Sequence, residues 1–298
     1  MQTKNMFKRV AAAAGSAVLL GSLAVTTSGT ATAASTASCT VPLQAITSAG
    51  ELKGVTVTGT KPPTSASGTP QHEFTAGAAK LASNWSFSAL PAGASLEAYV
   101  VLGTSLYAVS DVYSESTGQW EHKETKVGIN WDKFSMIEES WAGLSSSSRN
   151  ARYGLRNDGV LFRWTNGFQT VASAAGFSDI KAMTLISQTA TYDTFLATTK
   201  AGVLETIRIP STAPLKPVVK TVRGSTWQGF ETLVANSCGT GTLLTAIDKD
   251  TNSAYVYSIG HATGTTTPIT NLGKVSGTFA DPVYSRYRSE NDPMLAGE

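Results

Sequence analysis

The chain has 298 residues, of which 15% are charged and 41% hydrophobic, with 23 Lys and Arg against 21 Asp and Glu. Gly, Ser, Thr and Ala dominate and Glu/Lys/Leu blocks are missing, which excludes coiled coils and helix bundles and suits a secreted all-β protein. Three of the basic residues sit in an N-terminal leader that holds no acid, so the remainder balances 20 against 21, a net −1, and carries no nucleic-acid footprint.

The leader spans residues 1–33. Lys4, Lys8 and Arg9 form a positive n-region, Val10 to Val25 an apolar run, and Ala31-Thr32-Ala33 a small-residue cleavage site. The run is too short for a good transmembrane helix, and no later stretch approaches the needed length, so no membrane span is expected. Cys39 lies well past the apolar run and is a poor lipid anchor. With Cys238 it makes an even pair, which outside the cell suggests one disulfide. The three histidines, His72, His122 and His261, have no ligand spacing, so neither a metal nor a cofactor is expected.

Next along the chain, Leu43-Gln44-Ala45-Ile46 reads as a strand that turns at Ser48-Ala49-Gly50 into a second one. Residues 58–80 are Thr/Pro/Ser/Gly-rich and read as an inserted surface loop. From there two columns recur. The first is led by an aromatic: Trp85-Ser86-Phe87, Trp131-Asp132-Lys133-Phe134, Phe177-Ser178-Asp179-Ile180, Trp227-Gln228-Gly229-Phe230, and a degenerate copy at Phe279 to Pro282. Their leading residues are spaced 46, 46, 50 and 52 apart. The second column is a strand with one small residue, Ala45, Ala108, Gly154, Ala197 or Ala246, spaced 63, 46, 43 and 49. Asn157-Asp158-Gly159 and Lys200-Ala201-Gly202 supply hairpin turns after two of these strands.

Five hairpin-bearing units of about 50 residues predict a single five-bladed β-propeller over residues 34–298. The first unit lacks its aromatic segment and the last lacks its hairpin. Pairing Phe279–Tyr287 with Leu43–Val57 would complete the fifth blade and remove two open edges. Cys39 and Cys238 precede equivalent strands of the first and last units, so a bond between them would staple that seam.

Gly128-Ile129-Asn130-Trp131-Asp132-Lys133-Phe134, Gly224-Ser225-Thr226-Trp227-Gln228-Gly229-Phe230 and Leu106-Tyr107-Ala108-Val109 together resemble the repeat of the tachylectin-type lectins. The resemblance covers about residues 39–290 and implies a five-bladed propeller that binds carbohydrate without catalysis. That family's repeats are nearly identical to one another. Here Phe replaces Trp at 177 and 279, which implies fewer or altered sugar sites.

Sugars stack on exposed aromatic faces while polar groups bond their hydroxyls. Trp120, Trp141 and Trp164 fall outside the aromatic column and are candidate platforms; Trp131 with Asp132 and Trp227 with Gln228 are the motif-carried candidates. Packing between sheets is the competing role for each. A glycoside hydrolase needs two facing carboxylates. Asp132, Glu138, Glu139, Asp179, Glu231 and Asp281 form no evident pair, and Glu138-Glu139 alternate faces on a strand that reads as solvated. No catalytic residue is expected. Asp248-Lys249-Asp250-Thr251-Asn252 reads as a polar hairpin turn rather than a calcium loop. The expected partner is a carbohydrate or cell-surface glycan, bound by a secreted monomer. A hydrolase and a protein-interaction propeller are the alternatives.

Overall fold

Short apolar runs broken by Gly, Asn and Asp turns give strands along the whole described chain. The computed structural model describes residues 39–142, 149–165 and 167–298. The expected leader, residues 1–33, lies outside the described residues. The strands are β1 (Thr40–Ile46), β2 (Glu51–Thr58), β3 (Thr64–Ser67), β4 (Gln71–His72), β5 (Ala79–Ala82), β6 (Trp85–Leu90), β7 (Gly93–Leu102), β8 (Ser105–Ser114) and β9 (Gln119–Ile129). There follow β10 (Phe134–Ala142), β11 (Arg149–Arg156), β12 (Leu161–Thr165), β13 (Thr170–Ala174), β14 (Ile180–Gln188), β15 (Tyr192–Thr199), β16 (Leu204–Pro210) and β17 (Val218–Arg223). The last are β18 (Thr232–Cys238), β19 (Gly241–Asp248), β20 (Ser253–Ile259), β21 (Ile269–Lys274) and β22 (Val283–Ser289). Among the described residues no helix is long and apolar enough to cross a membrane.

The protein is all-β. Strands β10–β13, β14–β17 and β18–β21 each make a four-stranded antiparallel sheet in chain order. The remaining strands form one longer path, β3-β2-β1-β22-β6-β7-β8-β9, with β4 on β2 and β5 on β7. In it β22 pairs antiparallel with β1, Leu43 opposite Arg286, and parallel with β6, Tyr287 opposite Trp85. The expected pairing of the C-terminal segment with the N-terminal hairpin is therefore present.

In the β14–β17 and β18–β21 sheets the last strand is the least buried. β14 and β15 are buried on both faces, whereas four of the six residues of β17 are exposed. A strand buried on both faces needs sheets packed against both. Strand β5 contacts β10, β10 contacts β14, β14 contacts β18, β18 contacts β22, and β22 contacts β5. Four apolar clusters fill the spaces between adjoining sheets, and a fifth packs the β1–β2 part of the long path against its β7–β8 part. Each fully buried Leu or Phe in them, such as Leu43, Phe195 and Leu204, contributes about 2–3 kcal/mol.

One backbone bond recurs five times among the described residues. The N–H groups of Phe74, Trp131, Phe177, Trp227 and Phe279 donate to the carbonyls of Gly50, Thr104, Gly159, Gly202 and Asn252. All five aromatics are buried. Each bond returns the chain from the outermost strand of a sheet to a hairpin turn of that same sheet. Gly159 shows why its turn needs glycine: its φ is +83°, and a Cβ there would come within 2.2 Å of Ser178 N.

This corrects the first column. Its leading member is Phe74, not Trp85. Trp85 opens β6, an additional strand wedged between β22 and β7, and is fully buried. The second column shifts as well. Ala45, Gly154, Ala197 and Ala246 lie on β1, β11, β15 and β19, each next to the first strand of its sheet, but Ala108 lies on β8, one strand further out. The irregular gap of 63 therefore joined two different places in the repeat. The segment 58–80 is mostly exposed, yet it is more than a loop: it carries β3 and β4, both paired to β2.

Cys39 and Cys238 are disulfide-bonded, with Cα atoms 5.6 Å apart, as expected. The bond ties the start of β1 to the end of β18. Asn236 Nδ2 donates to Thr40 O at 3.0 Å beside it.

Candidate functional site

The aromatic column and the sheet after it build a cavity between β9 and the β10–β13 sheet. Asn130 adopts a left-handed conformation, φ 63°, which sets the single 3-10 turn Trp131–Lys133. The turn places Trp131 under Phe134, stacked at 4.4 Å between ring centroids. Phe162 and Trp164 point to one face of β12, as residues two apart on a strand must, and stack at 5.4 Å with only 10° between their planes. Phe168 returns from the following turn, 5.5 Å from Trp164 and 5.8 Å from Trp131. Gly154, on the neighbouring strand, leaves room for them: a Cβ there would meet Trp164 at 3.0 Å and Phe134 at 3.1 Å.

Trp131, Phe134, Trp164 and Phe168 floor an open cavity of about 420 Å³, with Phe162 stacked behind Trp164. Val127 and Ile129 of β9 form an apolar lip, 40% and 64% exposed. Asn130, Lys133 and Arg156 supply polar groups. The Arg156 guanidinium lies 5.1 Å from the Phe162 ring and is held by Asp158 through two hydrogen bonds of 2.9 and 2.7 Å.

Two of the expected platforms, Trp131 and Trp164, thus come together, 5.4 Å apart, with Asp132 exposed in the turn between Trp131 and Lys133. The others do not line this cavity. Trp120 is 51% exposed on β9, with Tyr113 beside it. Trp141 lines a smaller cavity with Gln188, Asn236 and Met294, its ring covered by Arg288 at 4.6 Å. Trp227 is buried against Tyr257 and Phe230, and the Gln228 side chain lies over Gly202. Phe134 and Phe168, which line the cavity, and Phe162 behind Trp164 are not among the residues expected from sequence. The Phe162-Arg163-Trp164 alternation was a readable sign of two rings on one face; the return of Phe168 was not.

A third cavity, of about 150 Å³, is lined by residues of β5, β10, β14, β18 and β22. Glu138 faces it, 3.7 Å from Arg286 Nη2, and its Oε2 accepts Leu185 N–H at 3.0 Å. Burial pushes the Glu138 carboxyl up, while the Arg286 charge opposes the rise; burial also pulls Arg286 down. Glu139 projects from the opposite face of β10 to Arg152 Nε at 3.1 Å. Both acids are buried, which corrects the expectation of a solvated strand: β10 is the first strand of its sheet, and each of its faces meets another sheet. The turn at residues 248–252 is the polar hairpin expected, with Thr251 N–H donating to Asp248 Oδ1 at 2.9 Å.

Burial pushes Glu139 up to about 7, despite the Arg152 charge beside it. A carboxyl raised in the folded state stabilises it most below the unfolded value and loses that contribution as pH rises through the folded one. Between pH 4.5 and 7 this group is expected to cost up to about 3 kcal/mol of unfolding free energy. Urea unfolding at pH 4.5, 6 and 7.5 should show stability falling, and Glu139→Gln should flatten the fall. Equal pH dependence in both proteins would refute this assignment.

No protein-family model matches the chain, and no curated protein matches it. Among solved structures it is similar to the SapL1 lectin in complex with alpha methyl fucoside, at 6% identity and a TM-score of 0.41, covering 83% of this chain and 99% of that one.

Proposed function

We propose that this protein is a secreted, non-catalytic carbohydrate-binding protein of the tachylectin-type five-bladed propeller architecture, its leader 1–33 removed on export. The cycle of contacts through β5, β10, β14, β18 and β22 supports five blades. So do the five recurrent aromatic N–H bonds. The disulfide suits an oxidising compartment.

The aromatic cavity carries the binding reading. Its volume of about 420 Å³ lies within the range of small-molecule sites. A pyranose presents one apolar C–H face and a rim of hydroxyls. The apolar face stacks on Trp164 and Phe168, and Asn130, Lys133 and Arg156 bond the rim. Diverged repeats make this one asymmetric site rather than five equal ones. The hydrolase alternative draws no support from Glu138 and Glu139, which lie on opposite faces of one strand, each against an arginine.

A glycan array with the purified protein tests the reading. At least one glycan is expected to bind, and Trp164→Ala or Phe168→Ala to weaken it about tenfold or more, some 1.4 kcal/mol. Binding lost in Trp141→Ala but intact in both other variants would move the site to the smaller cavity. No binding to any glycan would reject the function.

A further inference from the structure

Apart from the residues that line the aromatic cavity, three side chains bring their donor atoms to within 4.8 Å of one another: Glu73, Asp111 and His122. Asp111 and His122 are direct cross-strand partners on β8 and β9. Glu73 arrives from the segment just before Phe74. His122 Nδ1 lies 2.6 Å from Asp111 Oδ1 and 3.0 Å from Glu73 Oε2.

We propose that Glu73, Asp111 and His122 form a binding site for a divalent transition-metal ion, with zinc as the ion the donor set fits best. One imidazole nitrogen and two carboxylates are a mixed N/O set, which suits zinc better than calcium or magnesium with their all-oxygen shells. Tetrahedral zinc holds its N and O donors at about 2.0–2.2 Å, hence roughly 3.4 Å from one another. The observed separations of 2.6 and 3.0 Å are tighter than that, so an entering ion would spread the partly exposed His122 and Glu73 away from the buried Asp111.

Two observations beyond the cluster itself point to a ligand. Asp111 is 4% exposed, and its second oxygen, Oδ2, has no hydrogen-bond partner among the described residues. A buried carboxylate oxygen without a donor costs free energy that a cation would recover. The other nitrogen of His122, Nε2, lies 3.3 Å from Glu124 Oε1. A histidine bound to metal through one nitrogen commonly donates the other to a carboxylate, which fixes its tautomer and ring orientation. Phe74 sets its ring edge-on against the imidazole at 5.6 Å and holds it from the side. Burial pushes both Asp111 and Glu73 up, and for Glu73 the Asp111 charge adds to the rise. His122 and Glu73 are only partly buried, so water can complete the coordination.

Sequence spacing gave no hint of this site, because its ligands are joined by strand register and not by a local motif. Calorimetric titration of zinc chloride into the purified protein tests it. One ion per chain is expected, with micromolar or tighter affinity and a raised thermal midpoint. Asp111→Asn and His122→Ala should abolish binding, and Glu124→Gln should weaken it about tenfold. Should His122→Ala not fold, Glu73→Gln replaces a partly exposed ligand and must weaken zinc as well. No binding at millimolar zinc, full binding in His122→Ala, or equal affinity for calcium would each overturn the proposal.

Discussion

Replacing both cysteines, Cys39→Ser with Cys238→Ser, is expected to lower the unfolding free energy by about 2–5 kcal/mol. The two residues stand 199 apart in sequence, so the covalent loop spans most of the described chain. Loop-closure entropy rises only with the logarithm of loop length, and a loop this long sits at the top of the range, about 5 kcal/mol. The folded side changes little, because Asn236 still bonds Thr40 and β1 still packs against β18. The loss therefore comes through the unfolded chain, which expands once released. Urea unfolding should show a lower midpoint and a steeper slope, since the slope tracks the surface exposed. A midpoint unchanged within error would mean that the seam is held by its packing alone.

Asp193→Ala is expected to cost about 3–5 kcal/mol. Asp193 is fully buried on β15 and accepts four strong bonds. Arg149 donates twice, Nη1 to Oδ2 at 2.6 Å and Nη2 to Oδ1 at 2.5 Å. Tyr153 Oη and Ser140 Oγ each donate at 2.6 Å. These donors come from β10 and β11, so one carboxylate binds two neighbouring sheets together. Removing it strands the Arg149 charge and two hydroxyls in the interior. Burial and the Asp193 charge push the Tyr153 phenol far up, so it stays a donor throughout the working range of pH. The double variant Asp193→Leu with Arg149→Met removes both charges and should recover part of the loss, because an apolar pair tolerates burial where a lone ion does not. Chemical unfolding of the three proteins measures this. A cost below about 1 kcal/mol for Asp193→Ala would show that water or relaxation satisfies Arg149 instead.

The difference between what the chain announces and what it hides follows from distance. Trp131 and Trp227 were legible because their turns are local, built by residues 128–134 and 224–230. Phe74 was hidden because Gly77 stands three residues on, where Trp131, Phe177 and Trp227 have Phe134, Ile180 and Phe230, while Trp85-Ser86-Phe87 imitates the motif nearby. Ala108 misled in the same way: Leu-Tyr-Ala-Val has the composition of a second strand and occupies a third. The disulfide was readable because both cysteines stand at like places in the repeat. The arginine partners of Glu138, Glu139 and Asp193 were not, since sheet-on-sheet contact has no sequence period. The aromatic cavity was half legible, through Trp131 and Trp164. The Asp111–His122 pair follows from the β8–β9 turn, because the register runs unbroken from Ser114 opposite Gln119, but the arrival of Glu73 beside it from a distant segment has no sequence signal.

The pairing of β1 with β22 also orders events in time. Leu43 meets Arg286 roughly 240 residues later. A ribosome therefore releases the N-terminal hairpin long before its inner neighbour exists, and one side of β1 stays bare through almost all of synthesis. Contacts this remote are the slowest to form, and a bare strand edge recruits whichever strand comes near. The hairpin of a second nascent chain offers the same sequence and the same vacancy. The arrival of β22 thus covers the bare side of β1 and ends the interval of mispairing.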